Sequence, residues 1–201
     1  MGGGLIMPNW CYTNITISHE SEIEIEKIEK LVDEWTSKDY MENGFGLKWL
    51  GNIVLGSGVG TVDTGKETDL RCRGSIVDYY RNGNELVINT ETAWTPMLQM
   101  WVKIIEKYLP DAELIYNTEE CGNDISHTND PDLVGKYILD YYGDGDFESD
   151  WEADEGTVRE TLQKMLNTTE TNVEKLIEMA YEDDLEISIH QWEYANENDW
   201  S

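Results

Sequence analysis

ELVINTETAWTPMLQMWVKIIEKY, residues Glu85–Tyr108, changes its hydrophobic period halfway along. Leu86, Val87 and Ile88 form a β-branched apolar run closed by Thr90 and Thr92, which predicts a strand. A sharp corner follows. Thr95 suits an N-cap, and Pro96 suits the first helical position, where a missing N–H costs nothing. Met97, Leu98, Trp101, Val102, Ile105, Tyr108 and Leu109 then recur at helical spacing until Pro110 ends the run. A strand feeding a buried-face helix is half of a βαβ-type unit, and the flanking sequence supplies its partners.

Upstream, Thr13, Ile15 and Ile17 alternate with Asn14, Thr16 and Ser18, as in a half-buried strand. Ser21 and Glu24 have capping-box spacing. Behind them Ile28, Leu31, Val32 and Trp35 mark one helix face, and Glu22, Glu26, Glu29 and Asp33 a second, acidic one. Residues 41–68 are glycine-rich and read as a mobile loop, with Leu47–Leu55 as a short strand. Gly56-x-Gly58-x-Gly60 lacks the lysine and trailing helix of a phosphate-binding loop. Leu70–Tyr80 alternates as a strand, Asn82-Gly83 gives a hairpin signal, and Ala112–Thr118 is a strand after the helix. The order β-α-β-β-α-β predicts an α+β fold of the ferredoxin-like, split-βαβ kind. Its sheet is antiparallel, with two helices on one face.

MPNWC at Met7–Cys11 with Ile17, the ETAWTP corner at Glu91–Pro96, the helix end Tyr108-Leu109-Pro110, and the next strand with Tyr116 and Glu119-Glu120 together resemble the YubB-type ferredoxin-like family of phages and conjugative plasmids. The resemblance spans about 7–142, with the glycine-rich stretch and Cys121–Leu133 as insertions. It implies the fold and a mobile-element origin, and no catalytic residues. Residues 1–6 are expected to be a flexible leader before a translation start at Met7.

The 201 residues carry 42 Asp and Glu against 14 Lys and Arg, a net charge of −28. Such self-repulsion destabilises a compact state, so salt adaptation or a functional field is implied. Eight Trp and eleven Tyr favour the second. Direct binding to nucleic acid or an anionic membrane is disfavoured, because phosphate affinity comes from Lys and Arg. Three scattered cysteines without a CxxC, no signal peptide and no apolar run long enough to span a membrane predict a reduced, cytoplasmic setting.

The three histidines, His19, His127 and His190, lack metal-ligand spacing, and Cys11 lacks a basic neighbour, so neither metal binding nor nucleophilic chemistry is expected. Trp94, Trp101 and Tyr108 read as core. No cofactor is expected. Residues 143–201 form an acidic helical subdomain, with helices at Thr157–Leu166 and Thr171–Tyr181, a last strand at Leu185–Tyr194 and a fraying end at 195–201. Within it Glu170, Glu174, Glu178, Glu182 and Glu186 fall at four-residue intervals, a single-signed row roughly 6 Å apart on a helix. The sequence therefore points to a non-enzymatic inhibitor from a phage or mobile element, of anti-CRISPR or anti-restriction type. It would mimic nucleic acid in the basic groove of a host CRISPR effector or restriction nuclease. The expected contacts are the 170–186 row, Asp144, Asp146, Glu148, Asp150, Glu22 and Glu26, with Trp151 and Trp192 as anchors. Two alternatives are a metal- or ligand-binding accessory protein using the 144–155 acidic loop, and an acidic scaffold or interaction module of a phage. The oligomeric state is not legible.

Overall fold

A computed structural model of the chain describes residues 9–42, 44–67, 69–120, 122, 125–143 and 145–200. The expected leader, the start at Met7, and residues Cys121 and Asp144 lie outside these. The protein is α+β and divides into two units. One holds the residues up to Asn129 together with the segment from Ala195; the other is Asp130–Tyr194. The boundary thus falls before 130 rather than at 142/143, because the strand at 137–143 pairs inside the second unit.

The first unit contains β1 (Trp10–Ser18), α1 (Glu22–Thr36), α2 (Leu50–Ser57), β2 (Gly74–Asn82), β3 (Glu85–Ala93), α3 (Leu98–Tyr108), β4 (Glu113–Glu120) and β5 (Ile125–Thr128). Its strands run in the order β2-β3-β1-β4-β5, and every neighbouring pair is antiparallel. The alternation read in β1 sets its register. Ile15 and Ile17, opposite Ile88 and Leu86, enter the core with Ile25, Ile28, Val32 and Trp35 of α1 and Leu98, Trp101 and Ile104 of α3. The hairpin loop is Gly83-Asn84 rather than Asn82-Gly83, since Asn82 already pairs with Glu85.

Several local expectations are corrected. Leu47–Leu55 is not a strand; α2 occupies Leu50–Ser57, and Leu50, Ile53, Val54 and Ser57 are all buried. Their spacing is that of one helix face, and burial against Trp35 outweighs the poor helix propensity of Gly51 and Gly56. Gly58, at φ 64°, is the left-handed C-cap of this helix, so its glycine spacing serves a helix end rather than a mobile loop. Ser21 is the N-cap residue of α1 but makes no side-chain cap bond; its backbone N–H donates to His19 Nδ1 instead. Thr95 does not cap α3, which begins at Leu98; the Thr92 hydroxyl donates to the Thr95 carbonyl at 2.9 Å and holds the corner. The C-terminal segment does not fray before Trp200. Ala195 N–H donates to Thr128 O, and the Trp200 indole N–H donates to the Tyr116 hydroxyl at 2.8 Å.

The second unit contains β6 (Tyr137–Gly143), β7 (Asp146–Ala153), α4 (Glu155–Leu166), α5 (Val173–Glu182) and β8 (Ile187–Gln191). The strand order is β7-β6-β8. Val158 and Leu162 of α4 and Val173, Leu176 and Ala180 of α5 pack with Leu139, Ala153 and Ile189 of the sheet. The helices predicted at 157–166 and 171–181 therefore form, but as the cover of a three-stranded sheet rather than as a helical arm. The Asp154 carboxylate accepts from Thr157 N–H to cap α4, and the Asn172 side chain accepts from Lys175 N–H to cap α5. Among the described residues no helix is long and apolar enough to cross a membrane.

Candidate functional site

The second unit is the more charged of the two. Between residues 130 and 194 lie nineteen Asp or Glu and four Lys or Arg. Three of those bases pair locally: Lys136 with Glu152 at 3.6 Å, Arg159 with Glu155 at 3.9 Å and Lys175 with Glu170 at 3.9 Å. Lys164 is engaged as well.

The five-residue glutamate row breaks into three parts. Only Glu174, Glu178 and Glu182 lie on α5, and all three are exposed. They stand on the face opposite Val173, Leu176 and Ala180. None meets a hydrogen-bond donor or a base among the described residues. Glu170 precedes the helix, and its carboxylate accepts from the N–H groups of Asn172 and Thr171. Those bonds hold its pKa below the ordinary glutamate value, with Lys175 assisting. Glu186 lies beyond the turn at Asp184, whose φ is 51°, and just before β8. A four-residue interval continues across a helix end in sequence but not in space.

Residues Asp146–Asp150 are not a loop. They lie on β7, whose first seven residues are all exposed. Asp150 stands opposite Leu139, Glu148 opposite Tyr141 and Asp146 opposite Gly143, so the three acids share one side of the sheet at intervals of roughly 6.7 Å. Phe147 and Ser149 take the other side, opposite Tyr142 and Asp140. Evenly spaced carboxylates on an extended strand do not wrap a cation as a loop would, because ligands to one calcium must converge to about 2.3–2.6 Å from it. No metal-binding group of three His, Cys, Asp or Glu occurs among the described residues. Glu148 is further occupied by the Tyr141 hydroxyl, which donates to it at 2.6 Å.

The acidic ridge on α1 is largely engaged by the protein's own groups. Glu26 pairs with Lys30 and Glu29 with Arg81, and Asp33 accepts from the Tyr79 hydroxyl. The Lys30 ammonium lowers the Glu26 pKa. Glu22, in the first turn, stays exposed. Trp192 cannot serve as a surface anchor, because it is 1% exposed and packs with Leu133 and Ile138. Its indole N–H donates to the Trp151 carbonyl. Trp151 itself is 40% exposed.

Cys11 is buried among hydroxyls, with Thr118 Oγ1 at 3.0 Å. Burial raises its pKa, opposed by the Thr118 bond, so the thiol is held neutral. Burial, with the Asp63 charge adding to it, pushes Cys72 up to about 12.

One concave feature has no counterpart in the sequence reading. In the first unit a cavity of about 660 Å³ is lined by Trp10, Phe45, Trp49, Leu70, Arg71 and Arg73, among others. Trp49 is its buried wall, with the Phe45 ring 5.4 Å away and tilted by 49°. The legible signals were Arg71-Cys72-Arg73, two of only four arginines, and an aromatic pair within the glycine-rich stretch. Comparison with protein-family models, with curated proteins and with solved structures gives no match for this chain.

Proposed function

We propose that this protein is a non-enzymatic anti-defence protein of a phage or other mobile element, acting in the host cytoplasm. Its second unit enters the basic nucleic-acid groove of a host effector, such as a CRISPR effector complex or a restriction nuclease, in place of nucleic acid. The observation that carries this reading is the exposed series Glu174, Glu178 and Glu182 on α5, with no base against it among the described residues. Carboxylates roughly 6 Å apart on a rigid helix present a fixed negative edge. A fixed edge of one sign is drawn into a basic channel and loses little freedom on binding. Asp146 and Asp150 on β7 extend the contact, while the exposed Trp151 lies with Ser149 on the other side of that strand. Glu26 and Glu170, engaged by the protein's own groups, and the buried Trp192 drop out of it, whereas Glu22 stays exposed on α1.

The mobile-element origin rests on the family resemblance of residues 7–142. The same reading takes the first unit as ferredoxin-like. Its element order β1-α1-β2-β3-α3-β4 and its antiparallel strand order β2-β3-β1-β4 support that, with α2 and β5 as additions.

The test is a pull-down from host lysate at low and high salt, followed by titration of the captured effector with wild type and with Glu174→Lys/Glu178→Lys/Glu182→Lys. Affinity for a basic effector falls steeply with salt and is largely lost in the triple variant. Undiminished affinity of the triple variant would refute mimicry by this face.

A further inference from the structure

We propose that the cavity in the first unit binds a single nucleotide, its base stacked on the exposed aromatics and its phosphate held by Arg71 and Arg73. This proposal is independent of the acidic surface of the second unit.

The argument starts from the arginines. In a chain with 42 acids, a guanidinium is expected to find a carboxylate. Arg81 and Arg159 do so, with Glu29 and Glu155. Arg71 and Arg73 do not: among the described residues neither guanidinium makes an ion pair or a hydrogen bond. Both are exposed while Cys72 between them is buried, so both side chains leave the chain on one side. Two forked donors side by side and unneutralised are suited to a phosphate.

The walls define the rest of the ligand. Trp10 is 46% exposed and Phe45 64% exposed, both at the cavity, whereas Trp35, Trp49, Trp101 and Trp192 are buried. Exposed aromatic rings beside a cationic pair suit a nucleobase, since every base offers a π-face. The floor is apolar, from Val62, Leu70 and Ala93. Two acids also line the cavity. The Asp69 carboxylate is consumed by the hydroxyls of Thr64 and Thr61 and the N–H groups of Gly65 and Lys66. Asp63 meets no donor among the described residues, and is available to accept from a ribose hydroxyl or an exocyclic amine. The volume, about 660 Å³, lies within the range of roughly 300–1,000 Å³ for small-ligand sites. The strongly negative chain disfavours a polynucleotide, whose many phosphates two arginines cannot neutralise.

The test uses the full chain at low ionic strength, with tryptophan emission and calorimetry as readouts. The probes are the four ribonucleoside 5′-monophosphates, the corresponding nucleosides, inorganic phosphate and a 5′-phosphorylated single-stranded oligonucleotide. At least one monophosphate is expected to bind saturably, with its nucleoside and inorganic phosphate each about tenfold or more weaker. Arg71→Ala and Arg73→Ala are surface changes, expected to keep the thermal transition and weaken that binding by about tenfold or more. Trp10→Ala is expected to weaken monophosphate and nucleoside alike. Failure of every monophosphate to saturate up to millimolar concentration would overturn the proposal. So would unchanged affinity in both arginine variants, or binding of the oligonucleotide alone.

Discussion

The indole N–H of Trp49 donates to the backbone carbonyl of Cys72 at 2.5 Å, and so ties the start of α2 to the segment that carries Arg71 and Arg73. Trp101 is the contrasting case: its buried Nε1 has no hydrogen-bond partner among the described residues. Trp49→Phe leaves the Cys72 carbonyl without this donor and is expected to cost about 1–3 kcal/mol. Trp101→Phe removes an unsatisfied donor along with some ring volume, and is expected to cost less. Urea midpoints of the two variants would check the order, and the reverse order would contradict it.

Helix capping offers a second contrast. Asn172→Ala removes the acceptor for Lys175 N–H at 2.8 Å and should destabilise the protein by about 1 kcal/mol. Ser21→Ala removes no side-chain cap bond and should change stability by less than about 0.5 kcal/mol. Equal losses in denaturant unfolding would show that the cap geometry does not govern these positions.

The Asp69 carboxylate, held by the hydroxyls of Thr64 and then Thr61, has its pKa lowered to about 2, against an unfolded value near 3.9. A depressed carboxylate stabilises the fold above the unfolded value, and that contribution disappears as the pH falls through the folded one. Asp69→Asn should therefore be less stable than wild type at pH 5–7, with the gap closing between about pH 4 and pH 2. A gap that persists at pH 2 would count against this, as would a carboxyl carbon shift of Asp69 that titrates near pH 4.

Gly74 sits where a side chain has no room. An added Cβ would come within 2.3 Å of the Glu91 carbonyl oxygen and 2.7 Å of Thr92 Cα. Both neighbours are backbone, so β2 and β3 must part. Gly74→Ala is expected to lose about 1–3 kcal/mol, measured by thermal unfolding.

With a net charge of −28, the folded chain repels itself, and that repulsion is screened as the Debye length shrinks from about 10 Å at 0.1 M to about 3 Å at 1 M salt. The thermal midpoint should rise between 0.1 M and 1 M sodium chloride. A fall would mean that local ion pairs, such as Glu29–Arg81, outweigh the net field.

What could be read from residues alone was mostly periodic. The 3.6 period at Trp101–Tyr108 and Val158–Leu162, and the two-residue period at Thr13–Ile17, each reflect one face meeting a core. Leu47–Leu55 failed because a short apolar run fits either period; only burial of Leu50, Ile53, Val54 and Ser57 together decides for a helix. Asp146-x-Glu148-x-Asp150 is the opposite case. The sequence reads as an acidic loop, with cation binding as an alternative, whereas the stretch is a strand, and Phe147 and Trp151 alternate with the acids.

Composition, charge and the faces of the main helices were determined by the sequence by itself, because they depend on neighbours within a few residues along the chain. Which carboxylates remain unpartnered, and that a cavity gathers Trp10, Phe45, Trp49, Arg71 and Arg73, was decided only by the tertiary structure. Glu29 is neutralised by a residue 52 positions away and Trp49 is bonded to one 23 away. Such pairings follow from strand register and helix docking, which no local period encodes.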